Sequence, residues 1–330
     1  GEPLPAAFRR SALPALERAL AENRPLASAL DELDVRTVPV AAWQLANVNV
    51  VQDLELVEQR ERALSAAVEA AARHGLESPS PRILADWNDT IVHLAPHAVV
   101  ARVATSWVAW DKEATYRREI AVAAHASARG GPLVRPSALL APGPHRARGH
   151  VLAFWELLTP EAEAEVEAAE AGRALRAFHE AVADFDEPLP RLDARLERAT
   201  AAAKALRNVE RPDRALLASM VARGRKALRR AGTRHVLHGG PHLSNLLPTA
   251  EGPRWIDFDT VCRGPLEWDV AHLPPDAAAA FPEVDPELLA VCRPLVSAEV
   301  ATWCWHSFGR APEVDEAARF HLERVRELAG

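Results

Sequence analysis

The chain has 330 residues, 48% apolar, 5% aromatic and 26% charged, which is an ordinary globular composition and enough length for one large domain or two lobes with real cores. Its formal net charge of -7 excludes a general nucleic-acid binder, whose phosphate contacts need a basic surface. No run of about 18 apolar residues occurs, so no membrane span is expected.

Cys262, Cys292 and Cys304 have neither metal-ligand spacing nor a disulfide pattern. Nothing at the N-terminus combines a basic start, an apolar stretch and a cleavage site, so a reducing cytoplasm is the expected compartment. Lysine stands only at 112, 204 and 226, and the other basic residues are arginines.

Residues 1 to 60 predict a helical N-terminal extension, with Leu13, Leu16 and Leu20 at helical spacing inside Ser11 to Asn23. A second helix is expected from Leu54 to His74, before the break at Ser78 to Pro81. Three short β-branched runs follow: Ile83 to Ala85, Ile91 to Leu94 and Val99 to Val103. A helix over Asp111 to Arg129 is capped by Asp111 and stopped by Gly130-Gly131. Val151 to Trp155 reads as a further strand.

From Thr159 a helix is expected, with Thr159 as N-cap and Pro160 in its first position. Leu175, Phe178, His179 and Val182 share one of its faces, which makes His179 a core histidine. Another helix spans Asp213 to Arg230. A β-hairpin is expected from Val236 to Phe258, through Leu246-Leu247 and the turn at Thr249 to Pro253. The remainder reads as helices broken by prolines. Strands first and helices later make an α+β chain of two unequal lobes.

The chemistry concentrates in His238-Gly239-Gly240-Pro241-His242-Leu243-Ser244-Asn245, followed by Ile256-Asp257-Phe258-Asp259. A loop and the next strand would present one amide and two carboxylates together. Hard oxygens of this kind suit Mg²⁺ bridging phosphates, and phosphoryl transfer relies on such charge stabilisation.

This stretch resembles the catalytic and metal-binding loops of the aminoglycoside phosphotransferase and choline kinase family. That family's pattern is His-Gly-Asp, four residues, Asn, then a strand ending in Asp. Gly264-Pro265-Leu266-Glu267-Trp268-Asp269-Val270-Ala271 resembles its following segment, Val99 to Val103 its lysine-bearing strand, and Arg117-Arg118-Glu119-Ile120 the partner helix. Gly172 to His179 resembles the helix before the catalytic loop. The likeness runs from about residue 61 to 310.

The resemblance implies a two-lobed protein-kinase-like fold, with a nucleotide-binding lobe over 61–154 and a catalytic lobe over 155–330. It implies ATP and Mg²⁺ as cofactors and a small-molecule hydroxyl as acceptor. Asn245, Asp257 and Asp259 become candidate metal ligands. Arg102, Glu119 and Asn88 become nucleotide-site candidates, with the hinge near Phe154 to Leu157. His238 and Asp269 become braces of the catalytic loop.

Two positions depart from the family pattern. The catalytic aspartate falls on Gly240, and the lysine falls on Arg102, whose planar fork is not a point charge. His242 is the candidate replacement base. A slow kinase and a pseudokinase that binds without turnover are the two functional expectations. Trp303 and Trp305, beside Cys304, are candidates for acceptor contact. The tip from Asp86 to Thr90 lacks the glycines that would let its backbone grip phosphate.

Overall fold

The computed structural model describes residues 51–86, 89–105, 111–161, 164–232, 234–309 and 312–329, with Pro14, Ala15, Arg18, Ala21 and Glu22. The chain divides into two units, residues 1–63 and 64–330. Most of the helix expected over Ser11 to Asn23 lies outside the described residues. Helix α1, Val51–Arg73, ends just before Gly75, whose φ of 79° lies in the region glycine tolerates best.

The second unit opens with a five-stranded antiparallel sheet. Its strands are β1 (Arg82–Asp86), β2 (Thr90–His93), β3 (Val99–Val103), β4 (His145–Ala147) and β5 (His150–Glu156), in the order β1-β2-β3-β5-β4. All of β3 is buried, which explains its continuous apolar run and makes Arg102 within it an anomaly. Helix α2, Lys112–Ser127, begins where the Asp111 side chain accepts from the Ala114 N–H at 3.0 Å. Its buried face carries Tyr116, Val122 and Ala123, and also Glu119.

Beyond β5 the unit is mostly helical: α3 (Ala168–Ala181), α4 (Leu192–Ala205), α5 (Arg211–Ala231), α6 (Leu266–Val270), α7 (Pro286–His306) and α8 (Pro312–Ala329). One core joins Val100 of the sheet to Tyr116, Phe178, Trp255 and Phe258. A second joins Leu196, Leu217, Leu295 and Val325 of α4, α5, α7 and α8. No described helix is long and apolar enough to cross a membrane.

Three local expectations are corrected. The helix expected from Thr159 starts only at Ala168, because the Glu161 N–H is held by the Pro248 carbonyl at 3.0 Å and the capping signal is overridden. Helix α4, Leu192–Ala205, is an addition to the expected elements. Finally, the expected hairpin is two separate ladders. β6 (His235–Leu237) pairs with β9 (Cys262–Gly264), while β7 (Leu246–Leu247) pairs with β8 (Arg254–Trp255). The strand expected to reach Phe258 stops at Trp255, and Asp257 turns to a φ of 65°. Together the ladders lay residues 238–245 beside 256–261, where the Ile256 N–H donates to the Asn245 carbonyl at 2.9 Å.

Candidate active site

The loop after β6 is clamped through its backbone. Asp269 of α6 accepts from the N–H of His238 at 2.8 Å and of Gly239 at 2.9 Å. Burial would raise the pKa of Asp269, but His179, whose Nε2 lies 3.1 Å from Oδ2, is the first of the neighbours that hold it below its ordinary value. The next peptide, between Gly239 and Gly240, is held too. The Gly239 carbonyl accepts from Arg195 Nη1 at 2.7 Å and from Trp268 Nε1 at 2.9 Å. Gly239 must be glycine, since its φ is 91° and a Cβ would sit 2.3 Å from the Thr260 carbonyl oxygen.

His238 is fully buried among Phe178, Trp255 and Phe258. Its Nε2 lies 3.1 Å from the Ile256 carbonyl, which fixes Nε2 as the protonated nitrogen, and Nδ1 has no partner. Burial therefore pushes its pKa down from 6.5 to about 4. The folded state is destabilised as pH falls from 6.5 towards 4, where the unfolded chain binds the proton and the folded chain does not. Denaturant titrations should show that His238→Gln loses about 3 kcal/mol less stability than the wild type over that window. Parallel pH profiles would refute this.

The polar centre gathers around Arg102. Its Nε donates to Asp89 at 2.8 Å, Nη1 to both oxygens of Glu119 at 3.3 Å, and Nη2 to Asp257 at 2.8 Å. Asp259 lies 3.8 Å from Nη2. Lys112 is the second cation, with Nζ 3.0 and 3.2 Å from the Asp89 oxygens, and the Tyr116 hydroxyl donates to Asp89 at 3.0 Å. Arg102 and Glu119 are 9% and 0% exposed, so this is a buried network and not a screened surface pair.

Two cations thus face four carboxylates, and the loosely held acids yield. Burial pushes Glu119 up to about 8 despite the Arg102 charge. Burial and the neighbouring Asp257 push Asp259 up to about 7. Burial would also raise Asp89, yet the charges of Arg102 and Lys112 hold it below its ordinary value.

These groups open on a cleft of about 690 Å³ lined by Asp89, Arg102, Glu119, Asn245 and Asp257, among others. Asp259 does not line it, and Asn88 lies outside the described residues. Asn245 donates from Nδ2 to the Gly240 carbonyl and to His242 Nε2, both at 3.0 Å, which leaves its Oδ1 as an acceptor. His242 is exposed, and the atoms packed around its ring lower its pKa while Asp257 opposes. Its Nε2 lone pair already faces the Asn245 amide, so it is poorly placed to take a proton. Around Gly240 there is room: a Cβ would meet only Thr260 Oγ1, at 3.5 Å.

In the segment expected as the hinge, Phe154 to Leu157, three backbone N–H groups are already bonded. The N–H groups of Phe154, Glu156 and Leu157 donate to Pro142, Arg135 and Ala98 at 2.8, 3.0 and 3.1 Å. Among the described residues, Leu158, which lines the cleft, is the first past β5 whose N–H has no partner. The tryptophan expectation also changes. Cys304 lines the cleft, while Trp303 donates to Glu299 at 2.7 Å and Trp305 stacks on Phe308. Asp89, Lys112, Tyr116 and Arg195 escaped the sequence reading. The lone buried charge on β3 was the available signal for the first three.

The profile of the phosphotransferase enzyme family matches residues 82–293. No curated protein matches the chain by sequence. Among solved structures, a choline/ethanolamine kinase family protein from Mesorhizobium loti is similar at a TM-score of 0.57 and 17% identity, over 83% of this chain and 94% of that one. An amicoumacin kinase in complex with AMP-PNP, Ca²⁺ and Ami is similar at 0.62 and 11%, over 84% and 96%. A choline kinase from Streptococcus pneumoniae is similar at 0.56 and 12%, over 78% and 95%. These likenesses establish the kinase-like fold, a small antiparallel sheet with a larger helical part. The matched stretch covers more than half of the chain, from Arg102 and Glu119 through the loop from His238 to Asn245 to Asp257 and Asp269, and the chain belongs to the phosphotransferase enzyme family.

Proposed function

We propose that this protein transfers the γ-phosphoryl group of ATP to a hydroxyl of a small molecule, acting in the cytoplasm. The observation that carries this reading is the convergence of Arg102, Glu119, Asn245 and Asp257 from separate segments on one cleft. Adenine would lie at the hinge against the free Leu158 N–H. The clamp on Gly239 keeps the loop in place, which supplies positioning before any chemistry.

The donor set suits Mg²⁺. Asn245 Oδ1 and the free Asp257 oxygen are hard ligands, and Asp257 is a third exposed. No described group of three or more His, Cys, Asp or Glu side chains could hold a metal without help. An ion held by Asn245 and Asp257 would be completed by phosphate oxygens. Bound there, the ion would neutralise charge on the transferring phosphoryl group. Asp259, raised to about 7, would sit behind these ligands as a charge reservoir.

Asp257→Ala should abolish the thermal shift that ATP with Mg²⁺ gives the wild type, which at 100 times the dissociation constant corresponds to about 2.7 kcal/mol. An undiminished shift in the folded variant would remove Asp257 from the metal site. Gly240 supports a second reading, in which the cleft binds nucleotide without turnover. An ATP-Mg²⁺ thermal shift with no phosphoryl transfer to any of a broad acceptor set favours it.

A further inference from the structure

Two histidines meet where the end of α1 reaches the sheet. His145 opens the edge strand β4, and His74 stands in the turn just after α1. His74 Nε2 lies 3.3 Å from His145 Nδ1, with the ring centroids 4.5 Å apart. Both rings touch Phe154 of β5, at 6.4 and 5.2 Å between centroids. Neighbouring side chains of a strand point to opposite faces, and Trp155 lines the cleft. The histidines therefore sit on the far side of β5 from the cleft, and neither lines it.

The geometry of the pair is that of two metal ligands. His145 Nε2 is 2.6 Å from the Ala141 carbonyl, so the proton is on Nε2 and the Nδ1 lone pair faces His74. A carbonyl on the remote nitrogen is the usual companion of a metal-ligating imidazole, because it fixes the tautomer and the ring. The 3.3 Å gap is long for an N–H hydrogen bond, whose ordinary length is about 2.9–3.0 Å. Two nitrogens bound to one tetrahedral zinc at about 2.0–2.1 Å lie about 3.3–3.4 Å apart. Among the described residues His74 Nδ1 has no partner, so it can take the proton that Nε2 now shares and free Nε2 as the second ligand. The charges beside the pair are already matched: Glu69 with Arg73 and Arg148, and Glu113 with Arg146. His74 is exposed, which leaves room for water to complete the coordination.

We propose that His74 and His145 form a binding site for a divalent transition-metal ion of the zinc kind, which pins the end of α1 to the edge of the sheet. Paired imidazoles suit zinc, nickel or copper and not the hard ion expected among the oxygens of the cleft. The site is independent of the function proposed above.

Zn²⁺ alone is titrated by calorimetry into the whole metal-free chain, with excess Mg²⁺ present to fill oxygen sites. The wild type should bind one ion and melt higher with it. His74→Gln and His145→Gln should each weaken that binding at least about tenfold, since each removes one of two protein ligands. Asp257→Ala should leave it unchanged, so a failure here and a failure of the cleft reading are told apart. Undiminished affinity in either folded histidine variant overturns the proposal and marks an adventitious ion only, and loss of zinc in Asp257→Ala overturns it in favour of the cleft. Imidazole ¹⁵N spectra of the wild type give a test that needs no variant. Zinc should move His74 from the Nε2–H to the Nδ1–H tautomer and leave His145 protonated on Nε2. Zinc-induced changes confined to others of the 13 histidines would overturn the site.

Discussion

Gly240→Asp should raise the rate of phosphoryl transfer by about 10²-fold or more, the ordinary contribution of a placed general base. The position can accept the side chain. Gly240 does not adopt a left-handed φ, and a new Cβ would touch only Thr260 Oγ1 at 3.5 Å, an ordinary contact. Its neighbour Gly239 could accept nothing, so the two glycines of the loop answer to different constraints. On the free-energy scale the expected gain is about 3 kcal/mol off the barrier. Single-turnover phosphorylation with aminoglycosides, choline-like amines and sugars checks it. A gain identifies a kinase scaffold without its base. Robust wild-type turnover that the substitution destroys would show that another group holds the role, against the geometry of His242, whose Nε2 is 3.0 Å from the Asn245 amide.

The second large effect is expected behind the loop, at two residues that do not line the cleft. Arg195 of α4 and Glu299 of α7 form a buried two-pronged pair at 2.9 and 3.0 Å, with the Arg195 guanidinium over the Trp268 ring. Glu299→Ala strands the guanidinium in a site 9% exposed. Breaking such a pair costs about 3–5 kcal/mol, because the charge left behind is not solvated. The melting temperature should fall by roughly 5–10 °C. The double substitution Arg195→Met with Glu299→Met removes both charges and should recover most of that loss. If the single and double variants melt together, the pair is not the source of the stability. Arg195→Met alone should also loosen the loop, because it removes the 2.7 Å bond to the Gly239 carbonyl.

Much of this was legible in the chain. Four of the five sheet strands and α2 announced themselves through β-branched runs and the Asp111 cap, while β4 lies in a stretch that reads as a loop, and Asp269 was readable as a brace through the resemblance of Gly264 to Ala271 to the family's following segment. The rest was hidden by distance. Arg195 and Glu299 are 104 positions apart, and Arg102 and Asp257 are 155 apart. No local pattern marks such partners. Thr159 misled because capping propensity is local, and a tertiary bond from Glu161 to Pro248 outweighed it. Asp257 was read as the end of a strand because its φ of 65° is a conformation that sequence rarely signals for aspartate. The expectation of a weak phosphate grip at the Asp86 to Thr90 tip missed that Asp89 turns inward to two cations.

The clamp on the Gly239 peptide also sets an order of events during synthesis. The loop leaves the ribosome well before α6 and α7, yet its backbone is held by Asp269, Trp268 and, through Arg195, by Glu299. Until residue 299 has emerged, Arg195 lacks its counter-ion and the loop lacks its frame. Closing contacts over such spans is slow compared with forming the local hairpins and helices. The sheet and α2 can therefore be complete while the loop from His238 to Asn245 is still unformed. A nascent chain ending before α7 would present a finished sheet beside an unfinished loop, and the amides of His238 and Gly239 would gain protection from hydrogen exchange only with the last third of the chain.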